Sequence, residues 1–398
     1  MFWGVAACPD VLLLPLGIVS LQSIACYSSQ TGRISSTATR QSANFTAPGT
    51  ALATGQPLTD AHTMRTKVLG LMANQHGLIS RAQALAADMT TEEIVRLVRS
   101  GRWCVVRRGV YADAELVSST TTLAGRQRLV DRAACLRITV PFVRSHETAA
   151  LELGLGLLLP PRRMTHVTRP NVGTHNRHGI KHHLAPYRKG DVVEANGFRV
   201  LDPARTAIDI AREHGSPYGE VAIDRVRWQG TTVLELENIL DTMLHWPDHR
   251  RAVICLAQSS GGSESVPETL MRLLLEESGI GPVHTQFGMR DERREAWADA
   301  RAGRHLFEFD GRQKYQRPDT SRRLLTPEDA LFEEKNREDW FRGYRLGMSR
   351  FIWTDVWGPG RGAAKLRARR AYDATTAMWG TDISDLAPYV IVERRRAA

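Results

Sequence analysis

The sequence predicts a multidomain α/β protein of the α+β kind, with an N-terminal winged helix, a middle α/β region and a C-terminal domain built on a β-hairpin. Three observations predict it. Residues 64–116 run through three short amphipathic helices into two strands that turn near Gly109. Residues 117–260 mix helical patterns with short β-branched runs. Residues 293–300 and 304–310 read as the arms of a hairpin with Ala302-Gly303 at its turn. At 398 residues the chain has room for two or three full-sized cores.

A hydrophobic fraction of 42% with 24% charged residues is that of a globular chain and excludes an intrinsically disordered one. The formal charge of +10 suits a polyanionic partner such as DNA. Cys8, Cys26, Cys104, Cys135 and Cys255 are scattered, odd in number and without a Cys-x-x-Cys pair. They make neither a disulfide framework nor a cysteine zinc site, and a reducing cytoplasm is the expected setting. No P-loop, dinucleotide-binding glycine motif or internal repeat is present.

Residues 1–63 differ from the rest. The apolar run from Val11 to Leu21 contains Pro15 and Gly17, is too brief to span a bilayer, and has no preceding lysine or arginine. Residues 27–63 are rich in Ser, Thr, Ala and Gly and read as disordered. The expectation is an over-extended start with Met64 as the true one and no membrane association, with a weak export signal or a lipid-facing segment as the second reading.

From Arg65 to Gln75 the pattern is a helix with Val68, Leu69 and Met72 on one face, stopped by His76-Gly77. Ser80 is the N-cap of a second helix. Thr90-Thr-Glu-Glu93 is a capping box that opens a third, with Ile94, Leu97 and Val98 inward and Ser100-Gly101 at its end. Trp103 to Tyr111 then forms the wing. In a helix-turn-helix the third helix would enter the major groove, so Arg96, Arg99, Arg102, Arg107 and Arg108 are the candidate nucleic-acid contacts. Glu92 and Glu93 cap that helix but would repel phosphate. Including its ending Arg-Arg-Gly-Val-Tyr, the region resembles the N-terminal domain of AbiEi-type antitoxins. That resemblance implies DNA binding, repression of a toxin–antitoxin operon and a cognate toxin as partner.

Over residues 117–260, Thr121 to Cys135 and Ser145 to Gly154 read as helices, and Met164 to Arg169 and Gly179 to Leu184 as strands. Gly197 to Ala211 reads as a strand, a turn and a helix; Val233 to Leu244 and Arg251 to Gln258 add helices. His166, His175, His178, His182 and His183 lie here. His182 and His183 point to opposite faces of a strand, and no acidic ligand sits at a fixed helical spacing, so solvated or phosphate-facing histidines are expected rather than a metal site. Ser145-His146-Glu147 are sequence neighbours, which does not make a catalytic triad.

In the C-terminal hairpin, alternation places Leu306, Glu308 and Asp310 on one face and His305, Phe307 and Phe309 on the other. Asp299 on the neighbouring strand can join the two acids. Three clustered carboxylates repel one another, and a hard divalent cation compensates them through their oxygens. Asp299 and Glu308 are therefore the expected ligands of Mg²⁺ or Mn²⁺, with Lys314 beside the site to steady charge on a phosphate.

An acid, about ten residues, Glu-x-Asp-Gly and then a lysine resembles the catalytic hairpin of the PD-(D/E)XK nuclease superfamily, closest to Vsr-like endonuclease domains of actinobacterial proteins. The resemblance covers residues 262–380. It implies a restriction-endonuclease-like fold, a helix glutamate at Glu268 that reaches the metal, a charged helix from Glu333 to Tyr344 that carries Arg337, and a closing strand from Arg350 to Val356. It also implies a metal-dependent endodeoxyribonuclease with Glu268, Asp299, Glu308, Asp310 and Lys314 as catalytic residues and Arg337 orienting the site or gripping the backbone. One position departs: a strict Glu-x-Lys motif would put lysine where Asp310 stands, so Lys314 would act from a shifted place.

The expected domains are thus an extension at 1–63, a winged helix at 64–116, an AbiEi-like connecting region at 117–260, a nuclease-like domain at 261–380 and a basic tail at 381–398. The leading function is DNA binding coupled to phosphodiester hydrolysis. The alternative is a non-enzymatic antitoxin and repressor with a retained nuclease fold.

Overall fold

The computed structural model describes residues 59–171, 173–311 and 327–391. The expected disorder and export signal upstream of residue 59, Lys314, and the terminal arginine run lie outside the described residues.

The first helix, α1 (Thr59–Asn74), begins upstream of Met64. His76 and Gly77, both with positive φ, turn the chain into β1 (Leu78–Ser80). Two capping boxes then set the helix starts, the one at Ser80 going beyond the simple N-cap read from the sequence. Ser80 and Gln83 exchange side-chain and backbone bonds at α2 (Arg81–Ala86), and Thr90 and Glu93 do so at α3 (Thr91–Arg99). Strands β2 (Trp103–Arg107) and β3 (Val110–Asp113) form the wing, with Gly109 at φ +72 in the turn. β1 joins them in the order β1-β3-β2, a third strand the sequence did not announce. Val68, Met72, Ile79, Ala84, Ile94, Trp103 and Tyr111 make the core. Leu69, expected inside, is exposed, because the buried stripe of α1 runs Val68–Leu71–Met72.

Next come α4 (Ala114–Ser119), α5 (Leu123–Cys135), β4 (Val143–Arg144), α6 (His146–Glu152), β5 (Thr165–Arg169), β6 (His175–Arg177), β7 (Ile180–Leu184), β8 (Val192–Ala195) and β9 (Phe198–Leu201). The six strands form one mixed sheet in the order β6-β7-β5-β4-β9-β8. β5 and β7 run parallel with Thr168 opposite His183. One face sends Val167 and Ile180 into a cluster with Ala134 and Cys135 of α5. Four helices follow: α7 (Pro203–His214), α8 (Tyr218–Trp228), α9 (Val233–Asp241) and α10 (His249–Gln258), packed around Ile208, Ile223, Leu236 and Cys255.

The C-terminal part contains α11 (Val266–Glu277), β10 (His284–Arg290), β11 (Glu295–Ala302), β12 (His305–Phe309), α12 (Pro327–Gly343), β13 (Gly347–Phe351), α13 (Trp353–Val356), α14 (Arg361–Trp379) and β14 (Val390–Ile391). Its sheet has the order β13-β12-β11-β10-β14, with only β12–β13 parallel. The hairpin turns at Gly303-Arg304, one step later than expected, and β12 ends at Phe309. The closing strand lies at 347–351; Trp353 to Val356, expected to continue it, is a helical turn. Residues beyond 380 are not simply a tail, since Leu386 is buried and β14 pairs with β10.

Alternation along β12 sorts its side chains as the sequence implies. Leu306 packs with Phe341 of α12, and Phe307 packs with Leu270, Leu274 and Ala364 of α11 and α14. That second cluster also contains Leu158 and Val221, so apolar residues from before and after position 261 share one core. Among the described residues no helix is long and apolar enough to cross a membrane.

Candidate functional site

The acidic site forms where the C-terminal sheet opens. The β10–β11 ladder pairs Thr285 with Ala300 and Phe287 with Ala298, but skips Gln286 and Asp299 between them. Gln286 has φ +56, so the backbone of β10 turns over at this point. The β11–β12 ladder likewise stops at Ala300–Phe307. The Asp299 carboxylate takes up the next donor, accepting from the Phe309 N–H at 2.8 Å. A break in the ladder thus turns a strand aspartate into a half-buried group between strands.

Glu268, in the first turn of α11, arrives from the other side. It accepts from the Glu264 N–H at 2.8 Å, the Ser265 hydroxyl at 2.7 Å and the Gln286 amide at 2.9 Å. Burial, then the nearby charge of Asp299, pushes the Glu268 carboxyl up to about 7. Glu308 shares a face with Leu306 and is buried, and burial raises its pKa as well. The charge opposing that shift is Arg337 of α12, whose two Nη atoms donate to the two Glu308 oxygens at 2.6 and 2.7 Å. Arg337 also donates to the Trp297 carbonyl and to Glu334, and Arg350 Nε stands 3.5 Å from Glu308.

The expected acids therefore divide. Glu268, Asp299 and Glu308 come into one electrostatic neighbourhood, with Asp299 acting on both glutamates. Asp310 lies past the end of β12, exposed, with its N–H bonded to the Phe351 carbonyl. Arg337 is engaged with Glu308 rather than held out to solvent. Among the described residues the group of three acidic, histidine or cysteine side chains with ligand atoms within 4.8 Å of one another is His146, His166 and His183, not the carboxylates. Each Glu308 oxygen accepts from Arg337, so a divalent cation on Glu308 would have to share the carboxylate with that arginine or displace it. Gln286, Glu334 and Arg350 belong to the site without any local sequence signal, because the contacts that recruit them are made across the sheet.

The basic face lies at the other end of the described chain. Arg96 and Arg99 are exposed on α3, Arg102 is exposed in the turn to β2, and Arg108 is exposed at the wing. Arg107 differs. It is half-buried, it donates to the His178 carbonyl, and burial lowers its pKa. Glu93 is turned back into its capping box, its carboxylate accepting from the Thr90 N–H at 2.8 Å.

The histidines of the middle region are not the solvated set expected. His166 and His182 are buried; His175 and His178 are exposed. His182 and His183 do point to opposite faces, but parallel pairing of β5 and β7 sets His183 on the face of His166, and Glu147 reaches that face from α6. The acidic neighbour is supplied by the fold, not by helical spacing.

Residues 68–112 match a protein family described as transcriptional regulator, AbiEi antitoxin. The matched segment runs from α1 to β3, the winged helix itself. No curated protein matches the chain.

Proposed function

We propose that this protein is a DNA-binding transcriptional regulator of the antitoxin type, held on duplex DNA by its winged helix. The observation that carries the reading is the coincidence of the matched segment, 68–112, with a capped third helix that leaves Arg96 and Arg99 exposed. Exposed arginines on the outer side of such a helix suit phosphate and base-edge contacts in a major groove. Arg102 and Arg108 extend the basic surface toward the wing. Arg107 serves the packing of the wing on the β6–β7 turn instead. A cognate toxin is the expected protein partner. The test is a promoter reporter that carries the DNA upstream of this protein's own gene. Full-length protein should repress it, and Arg96→Ala/Arg99→Ala should relieve repression at equal protein level; equal repression by both would sink the reading.

A second reading, a metal-dependent endonuclease, is favoured by one specific observation. Glu268, Asp299 and Glu308 converge at a break in the sheet, in the chain order that the resemblance implies. Mg²⁺ or Mn²⁺ on Asp299 and Glu308 would supply Lewis-acid stabilisation of a phosphodiester there. Glu268 would accept or share a proton near neutral pH, and Arg337, released from Glu308, would face the phosphate. The test is nicking of supercoiled plasmid in Mg²⁺ or Mn²⁺ against EDTA. Metal-dependent nicking that Asp299→Asn/Glu308→Gln lacks supports this reading; no nicking by protein that binds the plasmid removes it for that substrate.

A further inference from the structure

Between α6, β5, β7 and α7 lies a second polar cluster that neither reading uses. His146 opens α6 with φ +50, His166 lies on β5 and His183 on β7. The three rings stack, with centroids 3.9 Å apart for His146–His183, 5.0 Å for His146–His166 and 5.2 Å for His166–His183. Each offers a ring nitrogen within 4.8 Å of the others. His166 Nδ1 and His183 Nε2 already stand 2.9 Å apart. Two nitrogens bound to one tetrahedral Zn²⁺ at about 2.0–2.1 Å would be roughly 3.3 Å apart, so small shifts complete the geometry.

The surroundings are those of a metal ligand set. Glu147 holds His166 from behind, its Oε2 at 3.3 Å from His166 Nε2, which leaves Nδ1 as the ligating atom. The other Glu147 oxygen is held by His214. His146 Nδ1 lies 3.1 Å from the Ser145 hydroxyl, which leaves Nε2. His146 and His166 are 4% and 3% exposed, so their rings meet His183 away from solvent. The Thr168 hydroxyl, opposite His183 in the β5–β7 register, is buried with no hydrogen-bond partner among the described residues. A positive-φ histidine, three imidazoles brought close together and a buried hydroxyl without a partner are costly together unless something binds between them.

We propose that His146, His166 and His183 hold one Zn²⁺ ion, with Glu147 orienting His166 and the fourth position left to water. Three imidazole nitrogens with no thiolate suit zinc over Mg²⁺ or Ca²⁺, which prefer oxygen ligands. Lys181, on the same face of β7, is paired with Glu213, which offsets a cationic charge that reaches all three histidines.

The experiment strips full-length protein with EDTA, titrates it with Zn²⁺ and measures bound metal after gel filtration. One equivalent is expected. His183→Ala, at the most accessible of the three, should abolish it, and Glu147→Gln should weaken it about 10–100-fold. Asp299→Asn/Glu308→Gln should keep the full equivalent, which separates this site from the acidic one. Circular dichroism and a thermal melt check that each variant folds. Should His183→Ala not fold, Co²⁺ loaded into the wild-type protein decides: visible d–d bands without a thiolate charge-transfer band support a histidine site. Wild-type protein that retains no zinc, or a Co²⁺ spectrum showing cysteine ligation, would overturn the proposal.

Discussion

Arg337 grips both carboxylate oxygens of Glu308, at 2.6 and 2.7 Å, and so holds α12 to β12 across the acidic site. Glu308 is 8% exposed at its side chain and Arg337 23%. Removing the arginine leaves a nearly buried carboxylate without its main partner. Arg337→Ala should therefore destabilise by about 2–3 kcal/mol, below the ~3–5 kcal/mol for a fully buried pair. Adding Glu308→Gln removes the stranded charge and should recover about 1 kcal/mol or more. Urea unfolding of the single and double variants measures both. A double variant that is no more stable than Arg337→Ala would show that the pair is not what holds the helix.

Glu268 gives the chain a pH dependence of definite sign. Its carboxyl is pushed up to about 7 in the folded protein, against an ordinary value of 4.5. The native state then binds a proton that the unfolded chain has released between those values. Stability must fall as pH rises from about 4.5 through about 7, then level off, by an amount on the order of 3 kcal/mol at most. Glu268→Gln, which stays neutral and keeps the reach to Gln286, should flatten that part of the curve. Urea midpoints measured from pH 5 to 8 for both proteins test it; parallel curves would remove Glu268 as the cause.

Asp224 of α8 ties two stretches that the sequence reads as separate domains. It accepts from the Ser260 N–H at 2.8 Å, from the Thr269 hydroxyl at 3.0 Å and from Arg272 at 3.1 Å, with both charged side chains at most 2% exposed. Asp224→Ala leaves the buried Arg272 only its half-exposed partner Glu276 and should cost about 2–3 kcal/mol, below the ~3–5 kcal/mol for a fully stranded charge. Because Leu158 and Val221 share a core with Leu270 and Phe307, α7–α10 and the C-terminal sheet should melt together. Calorimetry that resolved two transitions there would contradict that coupling.

Much of this was legible locally. The N-cap at Ser80, the capping box at Thr90, the wing turn at Gly109 and the alternation of Leu306, Phe307 and Glu308 are short-range features, and each stands where the sequence puts it. What sequence reading missed depends on pairing between distant segments. Asp310 reads as a strand residue because alternation alone has no stop signal; β12 ends at Phe309, although the Asp310 N–H still reaches the Phe351 carbonyl of β13. Arg337 reads as orienting the site or gripping a nucleic-acid backbone, since nothing near it in the chain announces its pair with Glu308. The histidines read as solvated, since only the β5–β7 register brings His183 onto the face of His166. β1 and β4 are too short for any period to show.

The central claim is that α3 and the wing bind duplex DNA, and the most direct measurement is fluorescence anisotropy of the labelled duplex upstream of this gene, titrated with full-length protein at several salt concentrations. Binding should weaken linearly in log–log form as salt rises, and Arg96→Ala and Arg99→Ala should each lower affinity and reduce the slope by about 1. Arg107→Ala, by contrast, should leave the slope unchanged, because that side chain is spent on the His178 carbonyl. Protein that fails to bind the duplex at low salt, or that binds with the same slope after both α3 arginines are removed, would contradict the account.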